Sequence, residues 1–335
     1  MQRGFMVRIL CSASKLNEFD VDEGIVFCSD GTTYSADVIV GADGLKSAVR
    51  KSIPRLSHVE PIAWATETCY RCTVPKSRMV ENDLLQPLLN HEKEMAWMAP
   101  GRYVLSWPLP PHRPYDVVLS IVEPGDVPLG KWGHSVDPKE ATKRFDDFCP
   151  QIKELLSHVD RAIKWTLGEL PALATCKSEN GRAVVLGDAF HGMLPHSASG
   201  GNSAIEDAVS IAECLDRAWH EHVVTGKDIF ELIGRSTQAF ENVRKTRVER
   251  MQIASDEGYD FLAGTDADFV PIRDKILADQ TKVYDIELEI PEEERRARPK
   301  AEPDMNARFP TEPYLQWLYG YDSVAVTKEY LSRLS

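Results

Sequence analysis

The sequence predicts an α/β fold interrupted by an antiparallel sheet, and three observations carry that prediction. Two short β-branched runs, Val38-Ile39-Val40-Gly41 and Ala183-Val184-Val185-Leu186-Gly187, each pass through a glycine-rich turn into a stretch of helical character, as a buried strand entering a helix should. Between them, residues 60–130 are rich in Trp, Tyr, Val and Thr and punctuated by proline, the texture of half-buried antiparallel strands. Residues 228–262 then keep a helical repeat of apolar positions.

Composition sets the outer limits. The 335 residues are 43% apolar and 27% charged, enough for a sizeable core in one large or two ordinary domains. Lys and Arg number 39 against 52 Asp and Glu, a net charge of −13. So acidic a surface repels phosphate backbones and argues against a nucleic-acid binder. The apolar runs are too short to span a bilayer, and Arg8 interrupts the apolar start FMVRIL, so neither a membrane span nor an export signal is expected. Seven scattered cysteines form no disulfide framework, and a cytoplasmic location is expected. Cys69 and Cys72 sit three apart on a predicted strand, so their thiols diverge and a metal pair is not expected.

Taken in order, VRIL, IVFC and ADVIVGA read as strands separated by a polar SKLNEFDVDEG and an Asp30-Gly31 hairpin turn. ADVIVGA should be buried on both faces. Gly41-Ala42-Asp43-Gly44 closes it, and LKSAVRKSI begins a helix. Residues 138–160 carry helical spacing, IKWTLGELPAL reads as a strand, and residues 285–310, rich in Glu, Arg and Pro, as an exposed connection. The tail from Thr311 is apolar enough to dock on the body. The predicted division is 1–58 with 160–275 as one discontinuous α/β domain, 59–159 as the antiparallel-sheet domain, and 276–335 as connection and docking segment.

The chemistry concentrates in residues 183–218. A buried strand ends in Gly187-Asp188, which places a carboxylate at its carboxyl end, where open α/β sheets bind ligands. After Pro195, the small residues SASGGN lead into SAIEDAVSIAECLDRAW, with apolar positions at Ala204, Ile205, Ala208, Ile211, Ala212 and Leu215. Gly200, Gly201 and Asn202 thus stand at a helix N-terminus with free amides and the positive end of the dipole. Glycine lets a flat, electron-rich ligand approach the backbone closely.

This segment resembles the second FAD-binding motif of the single-component flavin monooxygenases, the family of salicylate and para-hydroxybenzoate hydroxylases. It has the motif's Gly187-Asp188-Ala189-Phe190-His191, Pro195, Gly200-Gly201-Asn202 and Glu206-Asp207. GADGLKSAVR at 41–50 similarly resembles the family's Asp-Gly motif, YRCTVP its Tyr-Arg-Gly strand, and WLYGYD its C-terminal ending. The resemblance spans roughly residues 5–325. It implies a Rossmann-like FAD-binding domain, partial because its first βαβ is missing, with an antiparallel substrate sheet and C-terminal helices. It further implies FAD reduced by NADPH or NADH, O2 added as a flavin C4a-hydroperoxide, and hydroxylation of an aromatic or polyketide-like small molecule.

By the same resemblance, Asp188 would bond the ribityl or ribose part of FAD, and Gly200, Gly201 and Asn202 would meet the pyrimidine edge of the ring. Pro195 would line its reactive edge. Asp43 and Gly44 would lie near phosphates or nicotinamide, although two anions repel, so Asp43 is better suited to ordering Arg50, Ser47 or local amides. Arg71 is the catalytic candidate, offering a guanidinium to a phenolate or carboxylate. Trp107-Pro108 stands where the family often has Tyr-Pro, which puts a tyrosine-assisted mechanism in doubt. His191 reads as a packed, hydrogen-bonded histidine, and Glu206 and Asp207 as first-turn acids favouring the helix dipole. Tyr70, Trp97, Met98 and Tyr103 read as pocket wall or core.

The sequence departs from the family in one respect: it contains no GxGxxG, the loop that grips the cofactor's pyrophosphate. Three explanations stand: a sequence shorter than its gene product, a shortened flavin-free descendant, or a sheet completed by another chain. They give an FAD-dependent monooxygenase, which the retained Asp188, Gly200 and Gly201 favour. The alternative is a flavin-free cyclase, isomerase or binding partner, which the missing loop favours. A reductase on the same fold is a third reading, and a homo-oligomer is compatible with each.

Overall fold

The structure, a computed structural model, describes residues 16–91, 94–122, 133–264, 269–288 and 301–334. The predicted strand VRIL lies outside the described residues, as do Cys11 and residues 289–300 of the predicted connection. The chain divides into two compact units, one of residues 1–62, 169–255 and 319–335, the other of 63–168 and 256–318.

The first unit opens with three antiparallel strands, β1 (Leu16–Asp20), β2 (Ile25–Cys28) and β3 (Thr33–Ser35). The Asp30-Gly31 turn lies where predicted, with the Gly31 amide bonded to the Cys28 carbonyl at 3.0 Å and Gly31 at φ +83°. β1 occupies part of the segment read as a polar turn. Its charged residues hide an alternation that buries Phe19, and Val21 is buried just after it. The turn itself is Val21 to Gly24, where the Asp20 carboxylate accepts the amides of Asp22 and Glu23 at 3.2 and 3.0 Å.

β4 (Ile39–Gly41) and β11 (Ala183–Val185) pair in parallel, Ile39 opposite Ala183 and Gly41 opposite Val185. The expectation that β4 is buried on both faces is corrected: Ile39 and Gly41 are buried but Val40 is 42% exposed, because among the described residues this sheet has only two strands and one face of β4 is uncovered. A helix follows each strand, α1 (Ala48–Ser52) and α5 (Asp188–His191), and then come α6 (Gly200–Thr225) and α7 (Ile229–Ala263). Val49, Ile53, Val184, Ile211, Leu215 and Phe240 share one apolar core. α10 (Ser323–Ser332) docks on α6: Thr327 donates its hydroxyl to Ser210 Oγ at 3.0 Å, and Arg217 donates to the Leu331 carbonyl at 2.7 Å.

The second unit is built on a six-stranded sheet of order β6-β7-β8-β5-β10-β9. Its strands are β5 (Ile62–Val74), β6 (Met95–Ala99), β7 (Arg102–Trp107), β8 (Tyr115–Val122), β9 (Gly133–Val136) and β10 (Arg161–Glu169). Alternation divides it into two faces. Tyr70, Cys72, Val74, Val104, Val117 and Leu119 share a core with Ala141 of α3 (Pro138–Thr142), Ile152 and Leu155 of α4 (Pro150–Ser157), and Leu88 of α2 (Gln86–Asn90). Cys69, Arg71, Thr73, Tyr103, Leu105, Trp107, Asp116, Val118 and Ser120 alternate with these and point to the other face.

Two boundaries move from their predicted places. IKWTLGELPAL was expected in the α/β domain at 160–275, but β10 pairs with β9 inside the antiparallel sheet, so the division falls near residue 168. α8 (Phe269–Leu288) straddles the predicted break between residues 275 and 276 and belongs to the second unit, as does α9 (Glu312–Tyr319) up to Leu318, while α10 docks in the first. Among the described residues no helix is long and apolar enough to cross a membrane, and the described cysteines are free. Cys69 and Cys72 are both buried, and burial pushes both thiols up to about 12.

Candidate functional site

β11 delivers the chain to Gly187, whose φ of 58° and ψ of −143° belong to a region that essentially only glycine occupies. An added Cβ there would sit 3.2 Å from Ala204 Cβ, so strand and helix approach as closely as glycine permits. The next residue, Asp188, is exposed, and its carboxylate bonds no described residue. A short turn, Pro195 to Ser197, brings the chain back. Pro195 is exposed, and Ala198 takes a left-handed φ of 50°, which costs a non-glycine residue about 1 kcal/mol. α6 begins at Gly200 with no side chain capping it, since Ser199 turns its hydroxyl to the Ser197 carbonyl.

The geometry brings the predicted acid and the predicted amides together. A Cβ built on Gly200 would lie 3.9 Å from Asp188 Oδ1 and 3.7 Å from Met193 Cγ. One built on Gly201 would meet nothing within 4 Å. Gly201 and Asn202 are exposed, and Ile205, one turn on from Gly201, is 66% exposed. Unbonded amides at the positive end of a 26-residue helix thus stand beside an unpaired carboxylate and an open apolar surface. These residues fit a flat heteroaromatic ring carrying a hydroxylated chain. Amides suit carbonyls and developing negative charge, and a carboxylate suits hydroxyls.

Asp43 is engaged otherwise. It accepts the Ser47 hydroxyl and the amides of Ala48 and Val49, at 2.7 and 3.2 Å, so it caps α1. Gly44 has φ +79° and open space beside it. Arg50 is fully buried and ties the two motifs together, donating to the Ala189 carbonyl at 3.0 Å and the Leu45 carbonyl at 2.7 Å.

Beneath the Gly187 turn lies a charge network that the sequence reading missed. Asp207 takes the Gly187 amide at 2.9 Å and His191 Nε2 at 2.6 Å on one oxygen, and Arg244 Nε at 2.7 Å on the other. Arg244 also reaches Glu206 at 2.6 Å, and Arg247 grips both Glu206 oxygens at 2.8 Å. The Tyr321 ring lies 3.8 Å from the Arg247 guanidinium. Burial alone would push the Asp207 carboxyl up, but His191, Arg244 and the Gly187 amide hold it below the usual carboxylate range. His191 is packed and hydrogen-bonded, as expected. Glu206 and Asp207 are not first-turn acids, because α6 starts at Gly200 and they fall on its second turn.

On the second unit, Arg71 lies half-exposed on β5 and pairs with Asp116 of β8 through Nε at 3.2 Å and Nη2 at 2.7 Å. Asp116 is buried, and its hydrogen bond holds the Arg71 guanidinium above its ordinary range. Arg71 is level with Val118 and Leu105 across the sheet, and Trp107 is level with Asp116. Tyr70 and Tyr103 are buried, while Trp97 and Met98 are half-buried. Asp116 escaped the sequence reading because it opens an otherwise apolar strand, YDVVLSIV.

Residues 19–224 match the family described as FAD binding domain. A curated relative, the FAD-dependent monooxygenase SAT7 of Stachybotrys chartarum, is 27% identical over 82% of this chain and 59% of its own length. Salicylate hydroxylase of Pseudomonas putida is 28% identical over 74% of this chain and 58% of its own. A solved salicylate hydroxylase substrate complex superposes with a TM-score of 0.69 at 22% identity, covering 95% of this chain and 69% of that one. The chain therefore spans somewhat over half the length of these curated relatives.

Proposed function

Because the chain belongs to the FAD binding domain family of the single-component flavin monooxygenases, we propose that it serves an FAD-dependent hydroxylation of an aromatic or polyketide-like small molecule. The observation that carries this reading is the meeting of Asp188 with the Gly200 turn, where an added Cβ would lie 3.9 Å from the carboxylate. Bound FAD would supply reduction by NADPH or NADH and the activation of O2. The chain's own residues would bind and orient. Asp188 would accept hydroxyls of the cofactor's sugar chain, and the amides of Gly200, Gly201 and Asn202 would meet the carbonyl edge of the ring and favour negative charge there. Pro195 and Ile205 would give its faces an apolar wall. Gly44 and the α1 cap held by Asp43 would shape the backbone near the phosphates.

Arg71, held by Asp116, would donate a hydrogen bond to a substrate oxygen, with Leu105, Trp107 and Val118 beside the ring. The Trp107 indole donates a hydrogen bond but neither gives up nor takes a proton near neutral pH, so positioning rather than acid–base assistance is its role. The reaction belongs to secondary metabolism or aromatic breakdown, in a cytoplasmic setting that keeps the thiols reduced, and a homo-oligomer is compatible with it. The family match favours this reading over a flavin-free cyclase or isomerase.

The test is a titration of the purified chain with FAD, followed by flavin absorption and fluorescence. Binding is expected, and Asp188→Ala should weaken it by about tenfold, the loss of one or two hydrogen bonds to a charged acceptor. Circular dichroism should stay unchanged. A chain that leaves flavin fluorescence untouched even at millimolar FAD would overturn the proposal.

A further inference from the structure

On the reading that the Arg71 face of the sheet receives the substrate, we infer that this face selects an electrically neutral aromatic ring and turns away one that bears a carboxylate. The observation is the ion pair itself. Among the described residues of strands β5 to β8, Arg71 is the single cation on this face, and Asp116 answers its charge through two contacts at 3.2 and 2.7 Å. A further carboxylate, Glu67, is buried on the same face and accepts the Ser120 hydroxyl. At the β10 margin the adjoining Asp160 and Arg161 carry opposite charges, and past the end of β5 Lys76 gives its ammonium to the carbonyls of Leu109 and Pro110.

Among the described residues of strands β5 to β8, this face therefore has no uncompensated positive charge to offer. Arg71 Nη1 bonds no described residue, so it can donate to an amide, ketone or phenol oxygen. A carboxylate on the same atom would be brought toward the buried Asp116 carboxylate, and like charges brought together oppose binding. The half-buried Met98, Leu105, Trp107 and Val118 supply an apolar platform that a neutral ring covers without stripping water from a charge.

The test compares two probes of one shape, salicylate and salicylamide, by calorimetric titration of the full chain at fixed salt. Salicylamide should bind about tenfold more tightly. Asp116→Asn unmasks Arg71 and should raise salicylate affinity about tenfold while leaving salicylamide nearly unchanged. Arg71→Gln leaves Asp116 alone and should move the ratio the other way. Circular dichroism checks each variant's fold. If Asp116→Asn does not fold, the wild-type ratio and Arg71→Gln decide. Tighter binding of salicylate by the wild type, binding of neither probe, or a ratio that both variants leave in place would overturn the inference. FAD titration of the same preparations separates the two ideas. Lost flavin binding with the amide preference kept strikes only at the cofactor reading, and kept flavin binding with salicylate preferred strikes only at this one.

Discussion

Asp207 holds the Gly187 turn from below. Its oxygens bond an amide of the turn, the imidazole of α5 and the guanidinium of α7, all buried. Replacing it by Asn keeps the volume but removes one of the two carboxylates that pair with Arg244, leaving Glu206, which should cost about 3 kcal/mol in a urea unfolding series. The pH dependence follows from the direction of its shift. The folded carboxyl is held below its unfolded value of about 3.9, so its contribution is complete above that value and is lost as pH falls through the lower, folded one. Wild-type stability should fall in that acid window, and Asp207→Asn should flatten the fall; an identical acid limb in both proteins would show that Asp207 does not govern it. At this scale the sequence was half legible. His191 could be read as packed because it sits in a motif that resembles one whose histidine is packed and hydrogen-bonded. Arg244 and Arg247 could not, because their partners lie 37 to 41 residues earlier and only the packing of α7 on α6 brings them together.

Elements were more legible than contacts. β4, β11, α6 and α7 stood out because their glycines, β-branched runs and helical spacing agree with their surroundings. β1 and α8 were missed, the first for its charged alternation, the second because it falls largely between the helical pattern that ends at 262 and the connection read from 285. The burial of α6 also differed from the reading. Its buried stripe starts with Ser203, Asp207 and Ser210, and Ile205 is left exposed. A polar stripe is buried here because the charge network and the hydroxyls of α10 satisfy it. The two glycines around this helix should respond differently. Gly187→Ala forces a side chain into a glycine-only conformation 3.2 Å from Ala204 and should lower stability by about 1–3 kcal/mol by chemical denaturation. Gly201→Ala meets open space, so stability should hold or rise by up to about 1 kcal/mol. Its FAD affinity should nonetheless drop; unchanged affinity would mean that the cofactor does not approach this turn.

Across the whole molecule, the described residues form two cores with different reporters. Trp219 lies in the first unit, whereas Trp64, Trp97, Trp107, Trp165 and Trp317 lie in the second, and most of the long helices α6 and α7 belong to the first. Asp207→Asn should therefore shift the urea midpoint seen by helical circular dichroism more than the one seen by tryptophan fluorescence. Equal shifts would show that the units unfold as one. The sequence marked both architectures but misplaced their border at β10, since a strand's partners are not written in its own residues. The Tyr321 ring that covers Arg247 has a further consequence, for the order of events during translation. Gly187 and its carboxylate anchor leave the ribosome well over a hundred residues before the aromatic lid that completes their network. The nascent chain must hold that charged cluster open while the intervening helices are made, a span in which chaperone binding would matter most.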